Sequence, residues 1–165
     1  MNTLKRNLKV ILVVILVMIL EWYGLMQYYN YLPTSAPTPK IMYKDSEIVL
    51  KNVDYNWFDK DSSGNSNIFG DPIETLRDYK PVDVVSDESL QYSFPQKPPR
   101  IVSIALTKWD GSQWKLVDRY FRFYTDKRED RIILIPKEKG IYIYEIDGNW
   151  DENHNTANVF KINVN

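Results

Sequence analysis

The chain of 165 residues has no cysteine and only one histidine, His154. Disulfides, a thiol nucleophile, an acylated cysteine anchor and a cysteine/histidine zinc site are therefore excluded. The formal net charge of -1 leaves no basic surplus, which argues against a nucleic-acid partner. The sequence also lacks a phosphate-binding loop, a serine-hydrolase elbow and a His-Glu-x-x-His motif. We therefore do not expect an enzyme.

Long apolar runs are scarce, and the one that exists lies near the N-terminus. Every residue from 10 to 20 is apolar, and positive charges precede the run at Lys5, Arg6 and Lys9. With its flanks it predicts a transmembrane helix over residues 10–28, roughly 28 Å long, which is close to the hydrocarbon thickness of a bilayer. The charges predict a cytoplasmic N-terminus, residues 1–9, and an exported remainder. The lipid bilayer is thus the first expected partner.

A cleaved signal peptide is the competing interpretation, because a short apolar core behind positive charges fits it as well. Cleavage needs small residues at a suitable site, and the best candidate, residues 34–36, is followed at once by Pro37. Glu21 argues mildly against a deep span, since a carboxylate is costly at the bilayer centre. The sequence favours an uncleaved, single-pass anchor over secretion.

Residues 29–40 are rich in proline and predict an extended stalk. Residues 41–165 then form one domain, and their short alternating segments predict an all-β sandwich with one short helix. The first strand is expected at residues 47–55, a long loop at residues 58–70 and an inner strand at residues 90–94. Asp71 followed by Pro72 predicts the start of the helix, which should run to residue 79.

The segment from residue 138 to residue 148 predicts the immunoglobulin-like form of the sandwich. Its acidic-x-Gly-x-Tyr pattern is typical of the strand that carries a tyrosine corner, with Gly140, Tyr142 and Tyr144 as its residues. Gly140 permits a sharp entry, and a buried Tyr142 hydroxyl needs a backbone acceptor a few residues upstream. Tyr144 stands where an antibody-type domain has a cysteine. Alternation sends Tyr142, Tyr144 and Ile146 to one face and Glu145 to the other.

Several short motifs carry a family resemblance, namely Asn56-Trp57-Phe58, the proline-flanked helix of residues 72–81, Pro95-Gln96-Lys97-Pro98, and residues 136–144 with Asn149-Trp150. Together they resemble small membrane- or lipid-anchored, immunoglobulin-like domains exported by Gram-positive, Bacillus-type bacteria. Members often carry a cysteine pair near the tryptophan-containing segment, which this chain lacks. The resemblance implies the fold and an extracellular location, and it supplies no catalytic residue.

One loop matches the first half of a calcium-binding loop, with acceptors at Asp59, Asp61 and Ser63 followed by Gly64. The twelfth position is Gly70, so the carboxylate that closes such a loop is missing. We favour a solvated turn, with weak Ca2+ binding as the alternative, and expect no other cofactor.

Aromatic residues at strand ends and in loops are the remaining candidates for a binding site: Trp57, Phe58, Phe69 and Trp150. Such rings either cap a sandwich or offer a binding platform, and capping is the favoured interpretation. His154 lies among carboxylates and is a further candidate binding residue, although a loop histidine without function is the simpler interpretation. Carboxylate pairs such as Asp147 and Asp151 arise by chance among 22 acidic residues.

The sequence therefore predicts a membrane-anchored, cell-surface module that binds another envelope protein. A module that binds cell-wall glycan through its loop aromatics is the alternative, and an envelope inhibitor or immunity-type domain is a further one. Exposure separates the first two, because a planar row of rings favours glycan and a contiguous apolar patch favours protein.

Overall fold

A computed structural model describes residues 2–30, 32–58, 64–68 and 70–165, with side chains described for residues 11–26, 32–58, 64–66 and 70–165. The chain divides into two compact units, Met1–Leu32 and Pro33–Asn165. The first contains helix α1 (Asn2–Asn30), whose apolar side chains between residues 11 and 26 are all exposed. Within the described residues, no helix combines the length and hydropathy needed to cross a membrane.

The second unit is mostly β, with two sheets and one short α-helix, α2 (Pro72–Thr75). Its strands in chain order are β1 (Lys40–Tyr43), β2 (Ser46–Ile48), β3 (Lys51–Phe58), β4 (Gly64–Ile68), β5 (Val82–Val84), β6 (Ser89–Ser93), β7 (Ile101–Trp109), β8 (Trp114–Phe123), β9 (Ile132–Leu134), β10 (Gly140–Asp151) and β11 (His154–Val164). The small sheet has the order β2-β1-β6-β9, and the large sheet β4-β3-β11-β10-β7-β8. Neighbours are antiparallel, except that β5 runs parallel to β11. This arrangement is consistent with a β-sandwich.

The core lies between the sheets because strand residues alternate between two faces. Along β10 the side chains of Tyr142, Tyr144 and Ile146 are at most 1% exposed. The small sheet contributes Ile41 and Leu90, both fully buried. Burial of each such side chain contributes about 1.5 to 3 kcal/mol relative to leaving it in water. The predicted inward face of β10 is confirmed.

Two tyrosine hydroxyls of β10 bond to backbone carbonyls. Tyr142 Oη donates to the carbonyl of Glu138 at 2.8 Å, which is the upstream bond that the sequence predicts. Tyr144 Oη donates to the carbonyl of Leu134 in β9 at 3.0 Å, and its ring stacks on Phe160 with centroids 5.1 Å apart. Gly140, at φ 144°, takes a backbone conformation that favours glycine. Tyr144 thus links the large sheet to the small one by a hydrogen bond.

Helix α2 begins as the sequence predicts, and it ends early. The Asp71 carboxylate accepts a hydrogen bond from the backbone N–H of Ile73 at 2.6 Å. Leu76, just past the helix, is buried with Val53, Ile143 and Val159 of the large sheet. The predicted end at residue 79 is wrong, because residues 76–78 form a turn and residue 79 a bend. The N–H groups of Arg77 and Tyr79 donate to the carbonyls of Glu74 and Leu76, three residues back, and not four as in an α-helix.

Two other boundaries need correction. The predicted strand at residues 47–55 is divided between β2 and β3, which belong to different sheets. The predicted loop at residues 58–70 contains β4, which pairs with β3. β4 was missed because its sequence, Gly-Asn-Ser-Asn-Ile, is polar and lacks apolar alternation. Part of the predicted stalk belongs to the second unit, since Pro37 and Pro39 are buried and β1 starts at Lys40.

Removing either tyrosine hydroxyl should destabilise the second unit. We expect Tyr142→Phe to lower the free energy of unfolding by about 1 kcal/mol and Tyr144→Phe by about 1 to 3 kcal/mol, because the second change orphans a carbonyl between the sheets. Denaturant unfolding measures both. Tyr79→Phe is the control, since its ring is 44% exposed and the change should have little effect. Equal stability of all three variants would contradict the role of these bonds.

Candidate functional site

The loop aromatics that the sequence offers as binding residues are largely turned inward. Trp57 and Trp150 are 6% and 3% exposed, and their rings meet edge to face at a centroid distance of 5.0 Å. Trp57 Nε1 donates to the carbonyl of Pro33, and Trp150 Nε1 to that of Lys97, each at 2.8 Å. Both rings therefore cap the sandwich. Phe58, which follows Trp57 in the sequence, is half-buried.

Gly148 makes room for Trp150. A Cβ atom at this position would lie 2.8 Å from the tryptophan ring, which is closer than real contacts allow. The absence of a side chain at Gly148 thus lets the Trp150 ring lie over its own strand and meet Phe94 edge to face at 5.5 Å.

His154 is buried in the same cap. Its ring packs edge to face on Trp57 at 4.8 Å, and its Nδ1 atom lies 2.7 Å from Oδ1 of Asp151. Asp151 is therefore engaged by the histidine at the β10–β11 turn, four residues along the chain from Asp147. The pairing of Asp147 with Asp151 considered from the sequence does not form a common site.

The calcium-loop residues Asp59, Asp61 and Ser63, and the aromatic Phe69, lie outside the described residues. Weak Ca2+ binding and a role for Phe69 stay predictions. In the part of the chain that the structure describes, no group of three or more histidine or carboxylate side chains is arranged to hold a metal ion.

The most developed candidate site lies on the outer face of the large sheet, away from the small one. Strand pairing sets Phe121, Ser103, Asp147, Ala157 and Asp54 opposite one another in a single row from β8 to β3. Strands are about 4.8 Å apart, so the row is roughly 19 Å long. Small side chains at positions 103 and 157 leave space on either side of the central aspartate.

Helix α2 explains why only part of this face is open. The helix packs over Ile143 and Val159 and closes the neighbouring rows. Beyond it lies a groove of about 490 Å³, lined among others by Ile101, Arg119 and Glu145 together with the row just described. The groove thus combines charged side chains with apolar ones, next to a covered apolar region.

The electrostatics of the groove centre on Asp147. Burial, reinforced by repulsion from Glu145, raises the pKa of Asp147 to about 7, although the Ser103 hydroxyl and Arg119 act in the opposite direction. Arg119 lies 3.8 Å from the Glu145 carboxylate. Near neutral pH the Asp147 carboxyl is therefore close to half-ionised, in a site that disfavours its charge.

Two acceptor atoms in the groove lack a hydrogen-bond donor among the described residues. They are Oδ1 of Asp147 and Oδ1 of Asp54, and both are shielded from solvent. Buried carboxylate oxygens are nearly always hydrogen-bonded in folded proteins. The groove therefore offers a ligand that carries hydrogen-bond donors, above all a cationic one, an unsatisfied acceptor on each of two aspartates in the same row.

An apolar patch borders the groove on the β8 side. Phe121 and Phe123 are 69% and 81% exposed, and Ile101, which pairs with Phe123, is 37% exposed. Adjacent exposed apolar side chains of this size are typical of an interaction surface. This is a contiguous apolar patch and not a planar row of loop rings.

This site could not be predicted from the sequence, for a definite reason. Alternation along β10 does place Glu145 and Asp147 opposite the tyrosines, so their outward direction was predictable. The residues that lie next to them on adjacent strands are determined by strand register, and these residues are as far apart in the sequence as Asp54 and Ala157. The exposed Phe121 and Phe123 flank Arg122 in an alternating strand, and that pattern gives no sign that the apolar face is uncovered.

No family model matches the chain, and no curated protein matches it.

Replacing Asp147 should remove part of the pH dependence of the free energy of unfolding. Because its pKa in the folded chain, about 7, lies above its ordinary 3.8, the stability associated with the neutral acid is present below about pH 4 and is lost as the pH rises through 7. Asp147→Asn avoids this loss, so its stability relative to the wild type should increase between pH 4 and pH 8, by at most about 4 kcal/mol.

Thermal unfolding at several pH values checks this. Asp45→Asn, in the exposed turn between β1 and β2, is the matched control and should run parallel to the wild type at every pH. A difference between Asp147→Asn and the wild type that is constant with pH, or that shrinks as pH rises, would show that Asp147 is not a desolvated carboxyl.

Proposed function

We propose that this chain is a membrane-anchored, cell-surface module that binds another envelope protein through the outer face of its large sheet. The observation that carries the proposal is the apolar patch of Phe121, Phe123 and Ile101 next to a groove with two unsatisfied carboxylate oxygens. Exposed aromatic residues beside desolvated polar groups are typical of the centre of a protein interface.

The anchor and the extracellular location rest on the N-terminal sequence. The apolar run of residues 10–20 follows three positive charges, and α1, with 29 residues, is roughly 43 Å long. Within α1 the segment of residues 10–20 is apolar on all sides, and such a segment needs an apolar environment. We propose that a bilayer supplies it, with the N-terminus in the cytoplasm and residues 33–165 outside.

The immunoglobulin-like character of the sandwich is part of the same proposal. It is supported by Tyr142, whose hydroxyl bonds to a carbonyl four residues upstream, as in a tyrosine corner. Tyr144 occupies the position of an inter-sheet cysteine, and its hydrogen bond to Leu134 performs a comparable linking role. Domains of this kind commonly serve as scaffolds for recognition surfaces.

The groove favours a partner segment with a basic side chain. A lysine or arginine placed over Asp147 would pair with its carboxylate, lower the pKa of the carboxyl and offset part of the cost of its desolvation. Its aliphatic stem would lie against Phe121 at the rim. Binding through such a contact should therefore strengthen as Asp147 ionises, between about pH 6 and pH 8.

Glycan binding is the second candidate, and one observation favours it. Asn149, Asn155 and Asn56 stand opposite one another in the row that begins with Ile101 and Phe123. Amide groups beside an exposed ring can bond sugar hydroxyls and stack on a sugar face. This version uses the sheet face, because Trp57 and Trp150 are buried.

A capture experiment with residues 33–165, which form a compact unit, separates the two candidates. The immobilised unit is exposed to solubilised envelope proteins and, separately, to peptidoglycan. We expect it to retain a specific protein and Phe121→Ser to weaken that binding at least about tenfold, as loss of an aromatic anchor does. Leu134→Ser is the control, because Leu134 is 70% exposed on the small sheet.

Retention of the same protein by Phe121→Ser would refute the outer face as the binding surface. Retention of peptidoglycan alone, abolished by Phe121→Ser and kept by Leu134→Ser, would replace the protein partner with a glycan.

A further inference from the structure

We infer that two copies of this chain pair edge to edge through β8. This strand of ten residues ends the large sheet, and among the described strands only β7 pairs with it. Natural proteins protect such an edge by shortening or covering it, or by placing charges or a bulge on it, and β8 has the last two. β8 is long, and four of its apolar side chains are more than half exposed, namely Leu116, Val117, Phe121 and Phe123.

Symmetry restricts how two β8 strands can meet. A two-fold axis normal to the sheet makes the strands antiparallel and keeps the outer face of each copy on the same side. One residue then lies on the axis opposite itself, and residues equally distant from it in opposite directions face each other. The bulge beside Leu116 limits regular pairing to the part of the strand after Val117.

The charges of β8 select one of the available registers. An axis at Asp118, Arg119 or Arg122 sets like charges directly opposite each other, which is destabilising. An axis at Phe121 leaves the charges without a charged partner across the interface. With Tyr120 on the axis, Asp118 of each copy faces Arg122 of the other, so two ion pairs form.

The same register places Arg119 opposite Phe121 of the second copy on the outer face. A guanidinium beside an aromatic ring is favourable, and this contact also occurs twice. The sequence Asp-Arg-Tyr-Phe-Arg at residues 118–122 is therefore complementary to its own antiparallel copy. This self-complementarity identifies a second copy of the chain, and not an unrelated strand, as the occupant of the edge.

Arg122 is already held in a suitable position. Its Nη1 atom donates to the carbonyl of Ile132 at 3.1 Å, and its guanidinium lies 4.7 Å from the centre of the Tyr120 ring. These contacts use part of a group that has five N–H donors. The remaining donors are available to Asp118 of the second copy, and the side chain is ordered before pairing.

Pairing would extend the large sheet continuously through both copies. Arg119 and Phe121 line the groove of their own copy, so the two grooves would lie on either side of the axis. The inference goes beyond the proposed function, because self-pairing uses the strand edge and does not require that any partner binds the grooves.

The lack of cysteine makes a direct test possible in the full chain. Arg119→Cys and Phe121→Cys, both at exposed positions, are prepared with tags of different size, mixed in detergent and oxidised. In the proposed register these positions have Cβ atoms about 4.5 to 5.5 Å apart, close to disulfide distance. We expect the mixed dimer to form at least about tenfold faster than the dimer of either variant alone.

Phe123→Cys is the control for random collision, since Phe123 is the more exposed at 81%. In the proposed register, the residues at position 123 of the two chains would lie six residues, or roughly 20 Å, apart along the strand direction. They should therefore not form a disulfide. Equal rates for every combination, or fastest linking through position 123, would overturn the pairing. Contacts made by α1 in detergent are shared by all variants and cannot produce the difference.

A second measurement does not depend on disulfide geometry. Asp118→Arg sets like charges against Arg122 and should weaken dimerisation of the full chain about tenfold or more in sedimentation. Asp118→Asn should weaken it less. An unchanged dimer in Asp118→Arg, or a wild-type chain that stays monomeric, would refute the inference, and capture of a partner protein by the groove would be unaffected in either case.

Discussion

The hydroxyl of Tyr144 in β10 donates a hydrogen bond to the carbonyl of Leu134 in β9 and so joins the large sheet to the small one. With no cysteine in the chain, no disulfide can make this connection. The stacked ring of Phe160 holds the tyrosine in place, and Tyr142, two residues earlier, bonds to the carbonyl of Glu138. The inner face of β10 is thereby fixed at two successive inward positions.

The side chains that face inward along β10 also determine which side chains face outward. A strand has a side-chain period of two, so a shift of one residue would exchange Tyr144 with Glu145 and bury a carboxylate. The tyrosine bonds therefore determine that Glu145 and Asp147 face outward, with Asp147 at the centre of the row that ends in Phe121. Helix α2 covers the neighbouring rows, and the exposed groove is the part that it leaves open.

Local chemistry was predictable from the sequence, and long-range register was not. The Asp71 cap, the strand at β6 and the bond of Tyr142 each depend on residues close in the chain. The division of residues 47–55 between two sheets and the strand β4 depend on what the chain pairs with, and polar edge strands give no periodic signal. The groove depends on register across five strands and was therefore not predictable.

The tryptophans also show that long-range contacts cannot be predicted from the sequence. A tryptophan at a strand end is compatible with capping and with display, and the sequence favours capping only slightly. The acceptors that settle it are the carbonyls of Pro33 for Trp57 and Lys97 for Trp150, each more than twenty residues away along the chain. The most exposed aromatic side chains of the large sheet are instead Phe121 and Phe123 of β8, on which the proposed binding surface is based.

The most direct test of this account is the titration of the Asp147 carboxyl carbon by NMR in residues 33–165. Burial in the groove and the nearby Glu145 both disfavour the charged form of Asp147. We therefore predict a pKa near 7 for its carboxyl group. A midpoint near 7 in the wild type supports the account. A midpoint near 4, the ordinary value for an exposed aspartate, would contradict it, since Asp147 would then not lie in a desolvated groove.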